Sequence, residues 1–353
     1  MSTQATAAVD LRSDTVTRPS ARMREAMSGA EVGDDFYDED PTVRELERRA
    51  AELVGTEDAL FVVSGTMANL TAAMALVPPG RELLAEADSD LVRWESHSFS
   101  ALAGIQLTPI RGRFGVFGPD DLAEALARDD WRTPRTGMVA VENTHSASGG
   151  SAWPLEALRA VSTACRDAGV PLHCDGARLF NAALARGHRP SALGELCDTV
   201  TFSLYKGLGA PMGSLLCGSA ALRTRAAEVR RQLGATFRQV GVVAAAGLVA
   251  LDGVDALAED HRRAAALADG LRGALPAWAA PRPPETNIVT LELGHAGAVF
   301  VAALAERGVR VTEIVSGTVR FVTHRDLDDA GVARAVDAAG EAASVLGRTE
   351  RAA

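Results

Sequence analysis

TVTFSLYKGLGAP, residues Thr199 to Pro211, decides how the rest of the chain is read: an apolar, strand-like run ends in one lysine, and glycines follow at once. Lys206 is the only lysine in the sequence, and every other member of the 36 Lys and Arg positions is arginine. A lysine kept in so arginine-rich a chain points to work that a guanidinium cannot do. Schiff-base chemistry is such work, because it needs an amine that can lose its proton and attack a carbonyl. In an ordinary sequence a lysine at a strand end is a solvated charge, and only the surrounding segments change that reading.

Length and composition bound what the lysine belongs to. The 353 residues, 47% of them hydrophobic, suffice for one large core and a smaller one. Two domains are expected: a large one over 11–255, with an N-terminal arm in 1–40, and a small C-terminal one over 256–353. A net charge of -10 argues against nucleic acid or an anionic membrane as the main partner, since either would repel such a surface. A small-molecule substrate fits better. Cys165, Cys174, Cys197 and Cys217 show neither CxxC nor metal spacing, so no metal is expected. The start MSTQATAAVD lacks a basic n-region and an apolar h-region, which points to reduced thiols in the cytoplasm. The longest apolar run, Val240 to Leu251, is 12 residues, too short to span a bilayer, and reads as a buried helix.

Along the chain, Asp10 to Arg18 is polar and aperiodic and reads as an arm, after which Pro19-Ser20 opens a short amphipathic helix, Ala21 to Met27. Gly33 to Asp40 is an acidic loop without the spacing of a calcium site. Pro41 then starts a helix with Val43, Leu46 and Leu53 on one face, closed by Gly55. Ala59 to Val63 is the first buried strand. It runs into SGTMANLTAAMAL, where Ser64, Gly65 and Thr66 precede an apolar helix. Small residues there leave N–H groups pointing outward, as phosphate sites do, although the same tripeptide is often only an N-cap. Further apolar runs at Glu82 to Ala85, Met138 to Val141, Val170 to Cys174, Thr199 to Ser203 and Gly213 to Cys217 alternate with helical stretches. The implied class is α/β, a mainly parallel sheet with its site at the carboxyl ends of the strands.

LHCDGAR places Asp175 directly after a buried strand and Arg178 three residues on. A structural ion pair is one reading. The other follows if the strand ending near Ser203 lies close by, so that Asp175 and Lys206 meet at one edge of the sheet. There a carboxylate can keep a pyridine nitrogen protonated while the lysine amine bonds to an aldehyde, and the phosphate site completes a pyridoxal phosphate pocket. The last hundred or so residues read as a smaller α/β layer: a helix from Ala256 to Leu275, a Pro-rich break to Pro284, and a strand from Asn287 to Leu293. A helix from Ala296 to Arg307, strands at Val309 to Ile314 and Val319 to Val322, and a helix from Leu327 to Leu346 complete it. Arg320, on one of these strands, reads either as a surface arginine of an edge strand or as a cleft-facing side chain that could anchor a carboxylate.

Seven segments in order, DLRSDTVTRP, VGDDFYDEDPT, SGTMANL, VENTH, HCDGARLFNA, SLYKGLGAPMGSLL and VRFVTH, run from Asp10 to His324. Together they resemble the low-specificity L-threonine aldolase family, fold type I pyridoxal phosphate enzymes of the beta-eliminating lyase group. The resemblance implies a fold type I, transferase-like α/β fold, with a mainly parallel seven-stranded sheet in the large domain and a smaller C-terminal α/β domain. It makes Lys206 the Schiff-base lysine, Asp175 the partner of the pyridine nitrogen, and Ser64, Gly65 and Thr66 the phosphate ligands. Ser13, Arg178 and Arg320, with Tyr37, become holders of the amino-acid substrate, Arg178 also lying against the cofactor. Arg231 and Arg238 match positions that reach the phosphate of a neighbouring subunit, which implies a homodimer or homotetramer with shared active sites.

One stretch departs from the family pattern. Members usually carry a histidine whose ring stacks on the cofactor and helps with proton transfer, and counting back from Ile105 puts Asp90 at that position. In DSDLVRWESHSFSALAG, Glu95 keeps its match while His97 and Ser98 stand where two glycines are usual, and a second family histidine falls near Arg132. Either His97 or Trp94 substitutes or the chemistry has shifted, so Asp90 and His97 are both candidate catalytic residues. The expected reaction is retro-aldol cleavage of a β-hydroxy-α-amino acid resembling L-threonine or L-allo-threonine, giving glycine and an aldehyde. A lyase, racemase or transaldolase acting on a related amino acid is the alternative, and a cofactor-binding paralogue without catalysis is a third reading.

Overall fold

A computed structural model describes residues 8–127 and 131–346. In chain order its strands are β1 (Val9–Asp10), β2 (Asp58–Val62), β3 (Glu82–Glu86), β4 (Gln106–Ile110), β5 (Thr136–Glu142), β6 (Leu172–Asp175), β7 (Thr199–Ser203), β8 (Ser214–Gly218), β9 (Ile288–Glu292), β10 (Val309–Arg310), β11 (Thr312–Val315) and β12 (Thr318–Val322). The chain divides into two compact units, Arg18–Val254 and the described residues of Met1–Thr17 with Asp255–Ala353.

The larger unit is built on a seven-stranded sheet in the order β2-β8-β7-β6-β5-β3-β4. All neighbours are parallel except β8, which runs antiparallel to both β2 and β7. Helices cover it, which is why the inner strands read as unbroken apolar runs: Val139, Ala140, Val200 and Phe202 are all buried. β4 lies at one edge and escaped the sequence reading. Its QLTPI alternates polar and apolar residues, and Pro109 is tolerated there because an edge strand has a side without hydrogen bonds.

The apolar run near Val240 forms the helix Gly241–Leu251, its small residues Ala244 to Gly247 buried. Among the described residues no single helix is long and apolar enough to cross a membrane. This helix packs on Pro41–Val54, the two meeting at Asp40. Oδ1 of Asp40 accepts from Thr42 and Val43 N–H at 3.2 and 3.1 Å, and Oδ2 accepts from Gly241 N–H at 2.8 Å, so one carboxylate caps two helices. A Cβ on Gly241 would lie 2.4 Å from Asp40 Oδ1, which is why glycine is needed at that helix start.

In the smaller unit β11, β12 and β9 form an antiparallel sheet in that order, and β1 pairs in parallel with β10, Val9 opposite Val309. Its core joins Leu11, Leu267, Leu271, Leu291, Phe300 and Phe321. The stretch from Val309 to Ile314 is two strands rather than one, because β10 pairs with β1 while β11 turns to β12. Val9 and Leu11, two apolar side chains of a largely polar arm, join the core of this unit and hold Val9 to Thr17 to it.

Asp40→Ala leaves three buried or half-buried N–H groups without their acceptor and is expected to lower unfolding stability by about 2–4 kcal/mol, with Asp40→Asn costing less. Urea unfolding followed by circular dichroism measures it, and equal loss in the two variants would contradict the double-cap reading.

Candidate active site

β6 and β7 run side by side and parallel, Asp175 opposite Thr201, so their carboxyl ends open on the same edge of the sheet. Asp175 ends β6 at 3% exposure. Lys206 follows β7 in a tight turn closed by Gly209 N–H to Lys206 O at 2.9 Å and Ala210 N–H to Leu204 O at 2.9 Å, with Gly209 at φ 78°. Burial pushes the Asp175 carboxyl above the usual range while the charge of Lys206 pulls it back. The structure thus brings the single lysine and the buried carboxylate together.

The helix Gly65–Leu76 starts beside them. Ser64 caps it, Oγ accepting from Met67 N–H at 3.2 Å, and Gly65 N–H donates to the Tyr205 hydroxyl at 3.2 Å. A Cβ at residue 65 would stand 3.2 Å from Ser203 Oγ, so glycine lets this helix start lie close against the end of β7. Thr66, exposed in the first turn, hydrogen-bonds Glu95. One turn further, Asn69 Nδ2 donates to Asp175 Oδ2 at 2.9 Å and to Glu95 Oε2 at 3.1 Å.

The stretch around Asp90 is wound irregularly, with wide π-type turns at Leu91–Glu95 and Phe99–Ala103. Asp90 N–H donates to Glu142 Oε2 at 2.7 Å, and Glu142, the last residue of β5, sits opposite Asp175. Burial, and then the charge of Asp90, raise Glu142 to about 8. Burial, followed by the charge of Asp175, raises Glu95 to about 7. Asp90 therefore belongs to the group around Asp175. His97 and Trp94 point outward and are exposed, because residues on such a helix cannot all share the buried face of Glu95.

Arg178 is buried three residues after Asp175, at the start of the helix Leu179–Arg186. Arg231, Arg238 and Tyr37 gather elsewhere, about the acidic loop. Arg238 Nη1 lies 3.1 Å from Asp34 Oδ1 and its guanidinium stacks on Phe36 at 5.1 Å. The exposed Tyr37 meets the same ring edge-on at 5.0 Å. Arg231 lines a cavity of about 400 Å³ with Asp35, Arg223 and Arg230. Arg132 stacks on the exposed Trp131. In the smaller unit Ser13 and Arg320 are neighbours: Arg320 Nη2 donates to the carbonyl of Arg12 at 3.4 Å, and Ser13 Oγ accepts from Thr15 N–H at 3.2 Å.

Asn69, Glu142 and Tyr205 were not singled out from the sequence. Asn69 had a signal, an amide side chain four residues after Gly65, and so on the same face, in a helix whose other polar side chains are only Thr66 and Thr71. Glu142 and Tyr205 had none, since only the sheet register brings them to Asp175 and Gly65.

These residues fit pyridoxal phosphate. Asn143 Nδ2 and Thr144 Oγ1, just past the end of β5, are buried without hydrogen-bond partners, so polar groups stand ready beside Asp175. The buried Asp175 suits a protonated ring nitrogen, the helix start at Ser64, Gly65 and Thr66 suits a phosphate, and Lys206 supplies an amine. A lysine and a buried carboxylate at the carboxyl edge of such a sheet suit a pyridoxal phosphate-dependent enzyme of fold type I. The chain belongs to the beta-eliminating lyase family, which it matches over residues 10–296. It is 40% identical over 323 residues to the low specificity L-threonine aldolase of Escherichia coli (strain K12), covering 90% of this chain and 94% of that one. It is 42% identical over 270 residues to an uncharacterized protein of Caenorhabditis elegans, covering 76% of this chain and 65% of that protein's length. A solved structure of a Leishmania major threonine aldolase shares the fold, with a TM-score of 0.81, 20% identity, and coverage of 94% of this chain and 98% of that one.

Glu95 should contribute, alongside Glu142 and Asp260, to how the apoprotein's stability follows pH. Its folded value of about 7 stands above the ordinary 4.5, so the folded chain holds this proton more tightly than the unfolded one. The resulting stability is fully present below pH 4.5 and is lost as pH rises through about 7. Glu95→Gln, which keeps an acceptor for Asn69, should flatten the decline, and urea midpoints falling as steeply in the variant would refute the assignment.

Proposed function

We propose that the chain is a pyridoxal phosphate-dependent aldolase that cleaves a β-hydroxy-α-amino acid of the L-threonine or L-allo-threonine type between Cα and Cβ, releasing glycine and an aldehyde. The observation that carries this reading is the pairing of the only lysine with a buried aspartate on the adjoining parallel strand. When bound, the cofactor supplies an electron sink for the pair released as the Cα–Cβ bond breaks. Lys206 would hold it by its amine, Asp175 at the ring nitrogen, and Ser64, Gly65 and Thr66 at the phosphate, with Arg178 beside it.

The chain's own residues do the rest. Asp175, acceptor-only while ionised, would keep a proton on the ring nitrogen, and the Lys206 charge favours that ionised form against the burial that opposes it. Binding the substrate carboxylate is the role proposed for Arg178 and, by carry-over from the family motifs, for Ser13, Arg320 and Tyr37. A base must also take the β-hydroxyl proton. Asp90 is proposed for it, supported by a half-buried position whose charge is felt at Asp175, Glu95 and Glu142; the exposed His97 is proposed as a second carrier of that proton. We further propose a homodimer or homotetramer in which Arg231 and Arg238 reach a partner's phosphate site, for which the exposure of both arginines speaks, and a cytoplasmic location, for which four free thiols speak.

Incubation of the cofactor-loaded protein with L-threonine and L-allo-threonine should release glycine and acetaldehyde, and Lys206→Ala should reduce release to background. Exchange of the α-proton without aldehyde would instead identify a racemase, and cofactor binding with neither reaction a non-catalytic paralogue.

A further inference from the structure

We propose that Asn69 is the positioning residue for Asp175, and that a one-directional hydrogen-bond chain from Thr199 through His173 holds its amide the right way round. The inference rests on the reading of Asp175 as the partner of the cofactor's ring nitrogen.

The amide of Asn69 has one end against acids and the other against donors. Nδ2 lies 2.9 Å from Asp175 Oδ2 and 3.1 Å from Glu95 Oε2, while Oδ1 lies 3.1 Å from Thr201 Oγ1 and 3.0 Å from His173 Nε2. Turned the other way, the carbonyl oxygen would face two carboxyl oxygens and the NH2 group would face a hydroxyl, so the chemistry of the neighbours selects the orientation. With Oδ1 as acceptor, His173 Nε2 must carry the ring proton. Nδ1 is then bare and accepts from the Thr199 hydroxyl 2.7 Å away. Burial pushes His173 down to about 3, so it stays neutral and keeps one tautomer.

The direction of donation therefore runs Thr199 to His173 to Asn69 to Asp175, each bond polarising the next. Asn69 uses both protons and both acceptor positions, leaving no freedom to turn. Asp175 receives the Asn69 proton on Oδ2 and the Ala177 N–H on Oδ1 at 3.1 Å, so both oxygens are pinned and the carboxyl plane is set. Donors on both oxygens favour the ionised form that burial opposes. The same amide joins Asp175 to Glu95, and Glu95 to the helix start through Thr66, so the carboxylate and the phosphate-facing turn are held in one frame.

Two measurements on the apoprotein test this without any reaction. Labelled-histidine NMR should show His173 protonated at Nε2 and bare at Nδ1, unchanged between about pH 5 and 9. Carboxyl-carbon NMR should show the Asp175 midpoint moving up in Asn69→Ala and in His173→Phe, and returning in His173→Gln, which keeps a donor for Asn69. A third reads cofactor affinity from intrinsic fluorescence. Asn69→Ala should weaken pyridoxal phosphate binding by about ten- to a hundredfold, and should have no further effect in an Asp175→Ala background. The opposite tautomer, an unmoved Asp175 midpoint, or effects that simply add would overturn the proposal. Should the wild-type chain bind no pyridoxal phosphate, the reading of function fails, and the two apoprotein measurements alone decide the role of Asn69. If Asn69→Ala does not fold, Thr201→Val takes its place: loss of one donor to Oδ1 should move the Asp175 midpoint the same way, and an unmoved midpoint overturns the proposal.

Discussion

The parallel pairing of β6 with β7 is the constraint on which the site depends. Two strands bonded side by side in the same direction must end on the same edge, so Asp175 and the turn that carries Lys206 are neighbours although 31 positions separate them in the sequence. Had β7 run the other way, as β8 does, its lysine-bearing turn would lie at the opposite edge. The burial of both strands then gives the pair its chemistry, because water is withdrawn from a carboxyl that can ionise only with a cation beside it.

Negative charge is concentrated around that pair. Asp90, Glu95, Glu142 and Asp175 act on one another closely enough that burial and mutual repulsion raise the buried three. Such crowding would open the fold if every group were ionised, and the structure answers it with donors. Asp90 and Ser146 N–H serve Glu142 at 2.7 and 2.8 Å, and Asn69 serves Glu95 and Asp175. The site is thus poised to accept positive charge, which a protonated ring nitrogen would bring.

Outside the site the same economy recurs. Asp40 caps two helices at once, and Glu47, with 1% of its side chain exposed, accepts from Phe61 N–H while Arg44 and Arg223 approach it at 2.7 and 3.4 Å. Burial pushes Glu47 up and the two arginines pull it back. Asp35 and Glu47 are buried acids matched by a guanidinium, a planar fork that suits a carboxylate better than a flexible ammonium does.

Much was legible in the sequence because it was written in local pattern. Apolar runs of strand length set six of the seven large-sheet strands within two residues of their ends, the Ala- and Gly-rich run near Val240 announced a buried helix, and the lone lysine after a strand announced the site. Other features left no local trace. β4 is a polar edge strand with a proline, and β1 is two residues long, stable only through its partner β10. The partners of Asn69 and the closeness of Glu142 to Asp90 follow from sheet register and helix placement, since hydrogen bonds between residues 26 to 132 positions apart have no periodicity to read. Sequence by itself determined the strand and helix content, the class and the reactive amine; the tertiary structure alone decided which polar side chains face that amine, because orientation toward a shared centre is set by packing rather than by order along the chain.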